Sequence, residues 1–222
     1  MRTLAELVDT REPGWPLVEQ MIEAATNRVE VLPAEPEDGA RALVGIQVTT
    51  RSPMGAMAYR TGGLLVDHGW MRILGAGSAR LPRDLARWNF PSGLPHAPRL
   101  PGAFLVADDV LGGFFAMNGG AFEGPMGNVF YFAPDTLVWE DLGRGYTDFL
   151  EFVFLGDLAK FYEGSRWAGW EEEVHRLSGD HAFSFHPFLF AASEGGIEGR
   201  SRRAVAIEEL WNLHANDHRA QR

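Results

Sequence analysis

Leu111-Gly112-Gly113-Phe114-Phe115-Ala116-Met117-Asn118-Gly119-Gly120, followed by Asn128-Val129-Phe130-Tyr131-Phe132-Ala133-Pro134-Asp135-Thr136-Leu137-Val138-Trp139-Glu140, decides how the fold is read. Short aromatic and β-branched runs alternate with Gly-Gly and Pro-Asp, the residues that turn a chain. The pattern predicts three strands of an antiparallel meander. The glycines let backbone approach backbone where a side chain would clash.

Strand signals extend upstream of this segment. Phe104-Leu105-Val106, Trp70-Met71-Arg72-Ile73-Leu74 and Leu64-Leu65-Val66 read as strands, and Val29-Glu30-Val31-Leu32 is short and β-branched. Ala42-Leu43-Val44-Gly45-Ile46-Gln47-Val48-Thr49-Thr50 has the composition of a buried strand. Ser52-Pro53-Met54-Gly55 then reads as a turn, and Ala56-Met57-Ala58-Tyr59 as another strand piece. Residues 33–39 and the proline-rich stretch 91–101 read as loops, the second a long surface loop.

Helical spacing marks both ends of the chain. Leu4, Leu7 and Val8 suggest one helix, and Leu17, Val18, Met21, Ile22 and Ala25 a second, with Pro16 in its first turn. Residues 81–88 read as a short helix, and 146–154 as a longer one capped by Thr147. Residues 167–177, with Glu171-Glu172-Glu173 facing water, and residues 205–214 read as helices too. Residues 183–190 are aromatic and read as a strand or an irregular core arm. The expected fold is α+β, one domain over 1–222, with an antiparallel sheet and helices packed mainly on one face.

Bulk properties narrow the function. With 45% hydrophobic and 23% charged residues the chain is an ordinary globular one. It has no cysteine, which excludes disulfides, thiolate nucleophiles and Cys-type zinc sites and fits a reducing compartment. Its start, Met1-Arg2-Thr3-Leu4-Ala5-Glu6-Leu7, carries an early acid and no long apolar run. A cytoplasmic protein without a membrane span is expected. The net charge of −10 argues against nucleic acid and favours, if anything, a basic partner. The basic cluster Arg200-Ser201-Arg202-Arg203 reads as a solvated loop.

No catalytic motif stands out. Gly112-Gly113 and Gly119-Gly120 lack the Lys-Ser/Thr ending of a phosphate loop and read as tight turns. There is no Gly-x-Ser-x-Gly elbow. His68, His175, His181 and His186 show no metal-ligand spacing, so neither metal nor cofactor is expected. Asp67-His68 and Asp108-Asp109 sit at strand ends, where functional groups are often displayed. Adjacent residues of an extended strand point to opposite sides, so Asp108 and Asp109 do not form a paired-carboxylate site. One of them is expected to bind turn amides. A polar pocket, if there is one, would draw on Thr49, Thr50, Arg51, Asp67, His68, Trp70, Arg72, Asp108, Asp109 and Asn118.

The strings that carry these residues resemble a known bacterial family. They are Val48-Thr49-Thr50-Arg51-Ser52-Pro53-Met54-Gly55-Ala56, Asp67-His68-Gly69-Trp70-Met71-Arg72-Ile73-Leu74-Gly75, Asp108-Asp109-Val110-Leu111-Gly112-Gly113-Phe114-Phe115-Ala116-Met117-Asn118-Gly119-Gly120, Tyr131-Phe132-Ala133-Pro134-Asp135-Thr136-Leu137-Val138-Trp139-Glu140 and Gly156-Asp157-Leu158-Ala159-Lys160-Phe161-Tyr162. Together they are similar to domain-of-unknown-function family 2625, which carries no catalytic residues over to this chain. Asp108-Asp109, Gly112-Gly113, Val129-Phe130-Tyr131 and Asp148-Phe149-Leu150 also resemble, more distantly, the SUKH superfamily. That resemblance implies a SUKH-like core and an immunity-like function, since many such proteins resemble immunity proteins that bind toxins. This chain departs from it in the extra sequence after Phe154.

The leading expectation is a non-catalytic binding protein of immunity-like or regulatory type, whose partner would be a basic toxin or regulator. A small-molecule-binding protein or enzyme using the polar pocket, and a structural homodimer, are the alternatives.

Overall fold

The computed structural model describes residues 1–215. Its centre is a seven-stranded sheet in which sequence order and spatial order coincide. The strands are β1 (Val29–Leu32), β2 (Gly63–Val66), β3 (Met71–Leu74), β4 (Ala103–Asp109), β5 (Phe114–Asn118), β6 (Asn128–Ala133) and β7 (Val138–Gly145). Every neighbouring pair is antiparallel. The meander expected over β5 to β7 thus extends through the whole sheet. The α+β class is as expected.

Register sets what each face offers. Arg72, Asp108, Phe114, Phe132 and Trp139 are successive cross-strand partners and form a row on one face. Ile73, Ala107, Phe115, Tyr131 and Glu140 form the corresponding row on the other. The Tyr131 face meets α6 (Tyr146–Leu155) and α7 (Leu158–Phe161), through Phe115 on Phe149 and Tyr131 on Phe161. Helices α2 (Trp15–Glu23) and α4 (Pro53–Arg60) pack against α6. The Arg72 face is covered by a two-stranded sheet, β8 (His181–His186) with β9 (Ser201–Ala206), and by the segment that follows it, where Trp211 meets Phe114 edge-on.

Two stretches read as strand are helices. Residues 42–50 belong mostly to α3 (Pro36–Ile46) and 56–59 to α4. Pro36 stands in the first turn of α3 beside Glu37 and Asp38, whose charges suit a helix N-terminus. Ala42, Leu43 and Ile46 then share one buried stripe, and Gln47 ends the helix in the left-handed conformation. Ser52 caps α4, its Oγ accepting the Gly55 amide at 3.0 Å, with Pro53 at the first position. A short apolar run fits a buried strand or a buried helix equally, and here the caps decide.

Other boundaries also shift. Arg200-Ser201-Arg202-Arg203 is no solvated loop: it leads into β9, which takes residues 205 and 206 from the expected last helix, and α9 (Ile207–Leu210) and a π-helical turn over Trp211–Ala215 follow. Gly145 rather than Thr147 precedes α6. Of residues 81–88 only α5 (Leu85–Asn89) is helical, capped by Asp84. Of 167–177, α8 (Trp170–Arg176) is helical, and Glu173 turns from water to a forked pair with Arg202 at 2.6 and 2.8 Å. The short α1 (Leu4–Leu7) opens the chain as expected. No helix among the described residues is long and apolar enough to cross a membrane.

Candidate functional site

β4 ends in two fully buried acids, Asp108 and Asp109. Because strand side chains alternate, each serves a different face. Asp108 lies opposite Arg72 in the register. It accepts Arg72 Nε at 2.6 Å through Oδ1 and Arg83 Nη1 at 2.5 Å through Oδ2. Both guanidiniums also donate to main chain: Arg72 to the carbonyls of His181 (2.6 Å) and Asp109 (2.7 Å), Arg83 to that of Gly179 (2.7 Å). This ionic cluster clamps the 179–181 turn, and so the small sheet, onto the central one. Burial lowers the Arg72 pKa, Asp108 works against that, and Arg72 remains a guanidinium at neutral pH.

Asp109 meets neutral donors instead. Oδ1 accepts the amides of Leu111 (2.9 Å) and Gly113 (2.8 Å), the turn-binding role expected of one of this pair. Oδ2 accepts the hydroxyls of Tyr131 (2.8 Å) and Tyr162 (3.1 Å). A Cβ on Gly113 would come within 2.5 Å of Asp109 Oδ2 and of the Tyr131 hydroxyl, so this position requires glycine. Burial raises the Asp109 pKa, and the bonds from Tyr131 and Gly113 only partly oppose it. Both tyrosines are pushed up, first by burial and then by the charge of Asp109, and keep their protons.

Tyr131 and Tyr162 also line a cleft of about 370 Å³. Asp135, Glu140 and Glu163 stand around it with exposed side chains. Its cation, Arg200, is already spent, donating to the carbonyls of Pro187 (2.8 Å), Phe188 and Ala191 (2.8 Å). The cleft therefore presents acceptors and negative charge above an aromatic floor.

The remaining pocket residues fall into separate places. Trp70 is buried under Trp167, Trp170 and Tyr162, so it adjoins the Asp109 cluster. Arg166 lies over Trp70 and Trp170 and pairs with Asp67, while His68 Nδ1 sits 3.2 Å from Arg28. Asp67 and His68 both hold left-handed backbone, φ 52° and 63°. Thr50 and Arg51 staple the N-terminal segment elsewhere: Thr50 Oγ1 accepts the Asp9 amide at 2.7 Å, and Arg51 pairs with Glu12, while the Thr49 carbonyl accepts the Ser52 hydroxyl at 3.1 Å. Asn118 organises the β5–β6 loop, bonding the carbonyl of Phe122 and the amides of Gly120 and Phe122. The structure thus brings Arg72, Asp108, Asp109 and Trp70 together, sets Asp67 and His68 beside them, and leaves Thr49–Arg51 and Asn118 apart.

Sequence reading missed Arg83, Tyr131, Tyr162 and Arg166 as partners of these acids. A cross-strand argument could have found Tyr131, two strands over from β4. Nothing local marks the other three. Among the described residues no group of three His, Asp or Glu side chains is arranged to hold a metal.

Comparison with known proteins agrees with the strings quoted above. Residues 4–210 match the family model described as "Protein of unknown function DUF2625". The chain is 45% identical over 213 residues to "Putative uncharacterized protein YbfG" of Escherichia coli K12, covering 96% of this chain and 95% of the relative. It is 40% identical over 214 residues to an "Uncharacterized protein" of Haemophilus influenzae, covering 96% and 94%. No solved structure matches it. The chain belongs to the DUF2625 family.

Proposed function

We propose, with that membership as the premise, that the protein is a non-catalytic binder whose acidic cleft takes a basic segment of a protein partner. One observation carries the reading: Asp135, Glu140 and Glu163 rim the cleft, while its own cation, Arg200, is consumed by main-chain carbonyls. A cationic side chain entering there finds acceptors and an aromatic floor of the kind that favours cations. The central acids and arginines support the absence of catalysis, since each is held by structural partners rather than turned toward the cleft. The net charge of −10 would steer such a partner, and the resemblance to SUKH proteins supports an immunity-like or regulatory role in the cytoplasm.

Calorimetric titration with an oligo-lysine peptide tests this. Binding is expected at low salt, weakened at high salt, and lost in the triple variant Asp135→Asn, Glu140→Gln, Glu163→Gln. Glu171→Gln with Glu172→Gln removes charge from the exposed face of α8 and is expected to leave binding intact. Equal losses in both variants, or no binding in the unaltered protein, would overturn the reading.

A further inference from the structure

A second cleft, of about 300 Å³, opens where α5, the Asp180 turn and the β9–α9 junction meet. Pro82, Trp88, Ala206 and Ile207 make its walls largely apolar. Its acids are all engaged. Asp84 accepts the Arg87 amide at 2.8 Å, Asp180 accepts from Ser178 at 2.7 Å and pairs with His181, and Glu208 pairs with Arg99. Of its donors, the exposed Arg87 guanidinium comes only within 3.6 Å of Asp84, and two buried ones are unengaged. Trp88 Nε1 and Arg83 Nε have no hydrogen-bond partner, although Trp88 is only 4% exposed and the Arg83 side chain 10%.

Arg83 cannot turn to rescue its Nε, because Asp108 and Gly179 hold its other two nitrogens. Buried unpaired donors are unfavourable, and in native proteins they call for an acceptor. What the cleft lacks is therefore acceptors alone. An anion is disfavoured, since three acids, Asp84, Asp180 and Glu208, stand in the wall against two cations, Arg83 and Arg87. The volume is at the lower end of small-molecule sites, which are mostly apolar with a few placed polar groups.

We propose that this cleft binds a small, uncharged, mostly apolar ligand whose carbonyl or ring-nitrogen acceptors bond to Trp88 Nε1 and Arg83 Nε. Both nitrogens lie beneath the wall, and the Trp88 ring is held by the guanidiniums of Arg83 (4.7 Å) and Arg99 (4.0 Å), so seating the ligand requires the ring to turn outward against those contacts. Arg83 also joins the site to the ionic cluster at the sheet centre, so occupancy stabilises the whole fold. The ligand class and the place both differ from those of the acidic cleft.

The test is titration of isotope-labelled full-length protein with nicotinamide, read at the tryptophan indole N–H signals. The Trp88 signal is assigned from Trp88→Phe, and benzoate serves as the anionic control. Nicotinamide is expected to move the Trp88 indole proton downfield to saturation, and benzoate to leave it in place. Ala206→Trp, a change at an exposed wall residue, is expected to fill the cleft and weaken binding by about tenfold or more. Glu171→Gln, at an exposed position outside both clefts, is expected to leave the Trp88 response unchanged. The proposal fails if Trp88 does not respond, if Ala206→Trp responds as the unaltered protein does, or if benzoate matches nicotinamide. It fails too if the ligand-free Trp88 signal already lies at a hydrogen-bonded position, because a trapped water then fills the role.

Discussion

Asp108 and Asp109 are neighbours, and neither is exposed at all, yet the two faces of the sheet treat them differently. On one face Asp108 is answered by charge, in two arginines that reach on to the small sheet. On the other Asp109 is answered by two amides and two phenolic hydroxyls, none of them charged. The first arrangement ties two sheets together. The second shapes a turn and supports the floor of a cleft, and it tolerates a carboxyl whose pKa burial has raised. A buried acid's role thus follows from its donors, not from its burial.

Removing each acid is the sharpest way to test that contrast. Asp108→Ala strands Arg72 and Arg83 in the interior, and breaking a buried pair typically costs about 3–5 kcal/mol. Urea denaturation should show the largest loss for this variant, with the small sheet loosened first. A loss no greater than that of Asp109→Ala would erase the distinction.

Asp109→Asn should cost less, about 1–3 kcal/mol, since neutral donors are left rather than charges. Its pH dependence has a definite sign. The folded pKa is raised above the ordinary value of 3.8, so the folded state keeps a proton that the unfolded chain releases. The stability from that proton is complete below the unfolded pKa and is lost as pH rises through the folded one. The margin of the unaltered protein over Asp109→Asn should therefore narrow as pH rises from the acid side. A widening margin would mean that the four donors outweigh burial.

Tyr162→Phe removes one donor of four and should have the smallest effect, about 0.5–1.5 kcal/mol. Equality with Asp109→Asn in thermal unfolding would show that Tyr162 alone sustains the carboxylate.

Much of the central sheet was legible in advance. Gly112-Gly113, Gly119-Gly120 and Pro134-Asp135 marked the turns, and alternation along β4 placed the two acids on opposite faces. Turn chemistry gave Asp109 its amides, only two and four residues away. The helices α3 and α4 were missed because their apolar runs fit either periodicity over a few residues, although Pro36, Ser52 and Pro53 carried the start signals. The arginines at 200 and 202 looked solvated because their partners, the 187–191 carbonyls and Glu173, lie outside any local window.

By itself the sequence determined the α+β class, the meander, the turn glycines and the two-sided display of Asp108-Asp109. Turn chemistry and side-chain alternation act over a few residues, so they can be read along the chain. Only the tertiary structure decided which donors meet the acids: Arg83 comes from 25 residues away, Tyr131 from 22 and Tyr162 from 53. It likewise decided that Arg200 closes on carbonyls while Trp88 and Arg83 keep unpaired nitrogens beside a cleft. Such partners are selected when packing excludes water from a group and the nearest donor or acceptor of the fold must replace it. Which one is nearest depends on topology, and no local pattern encodes it.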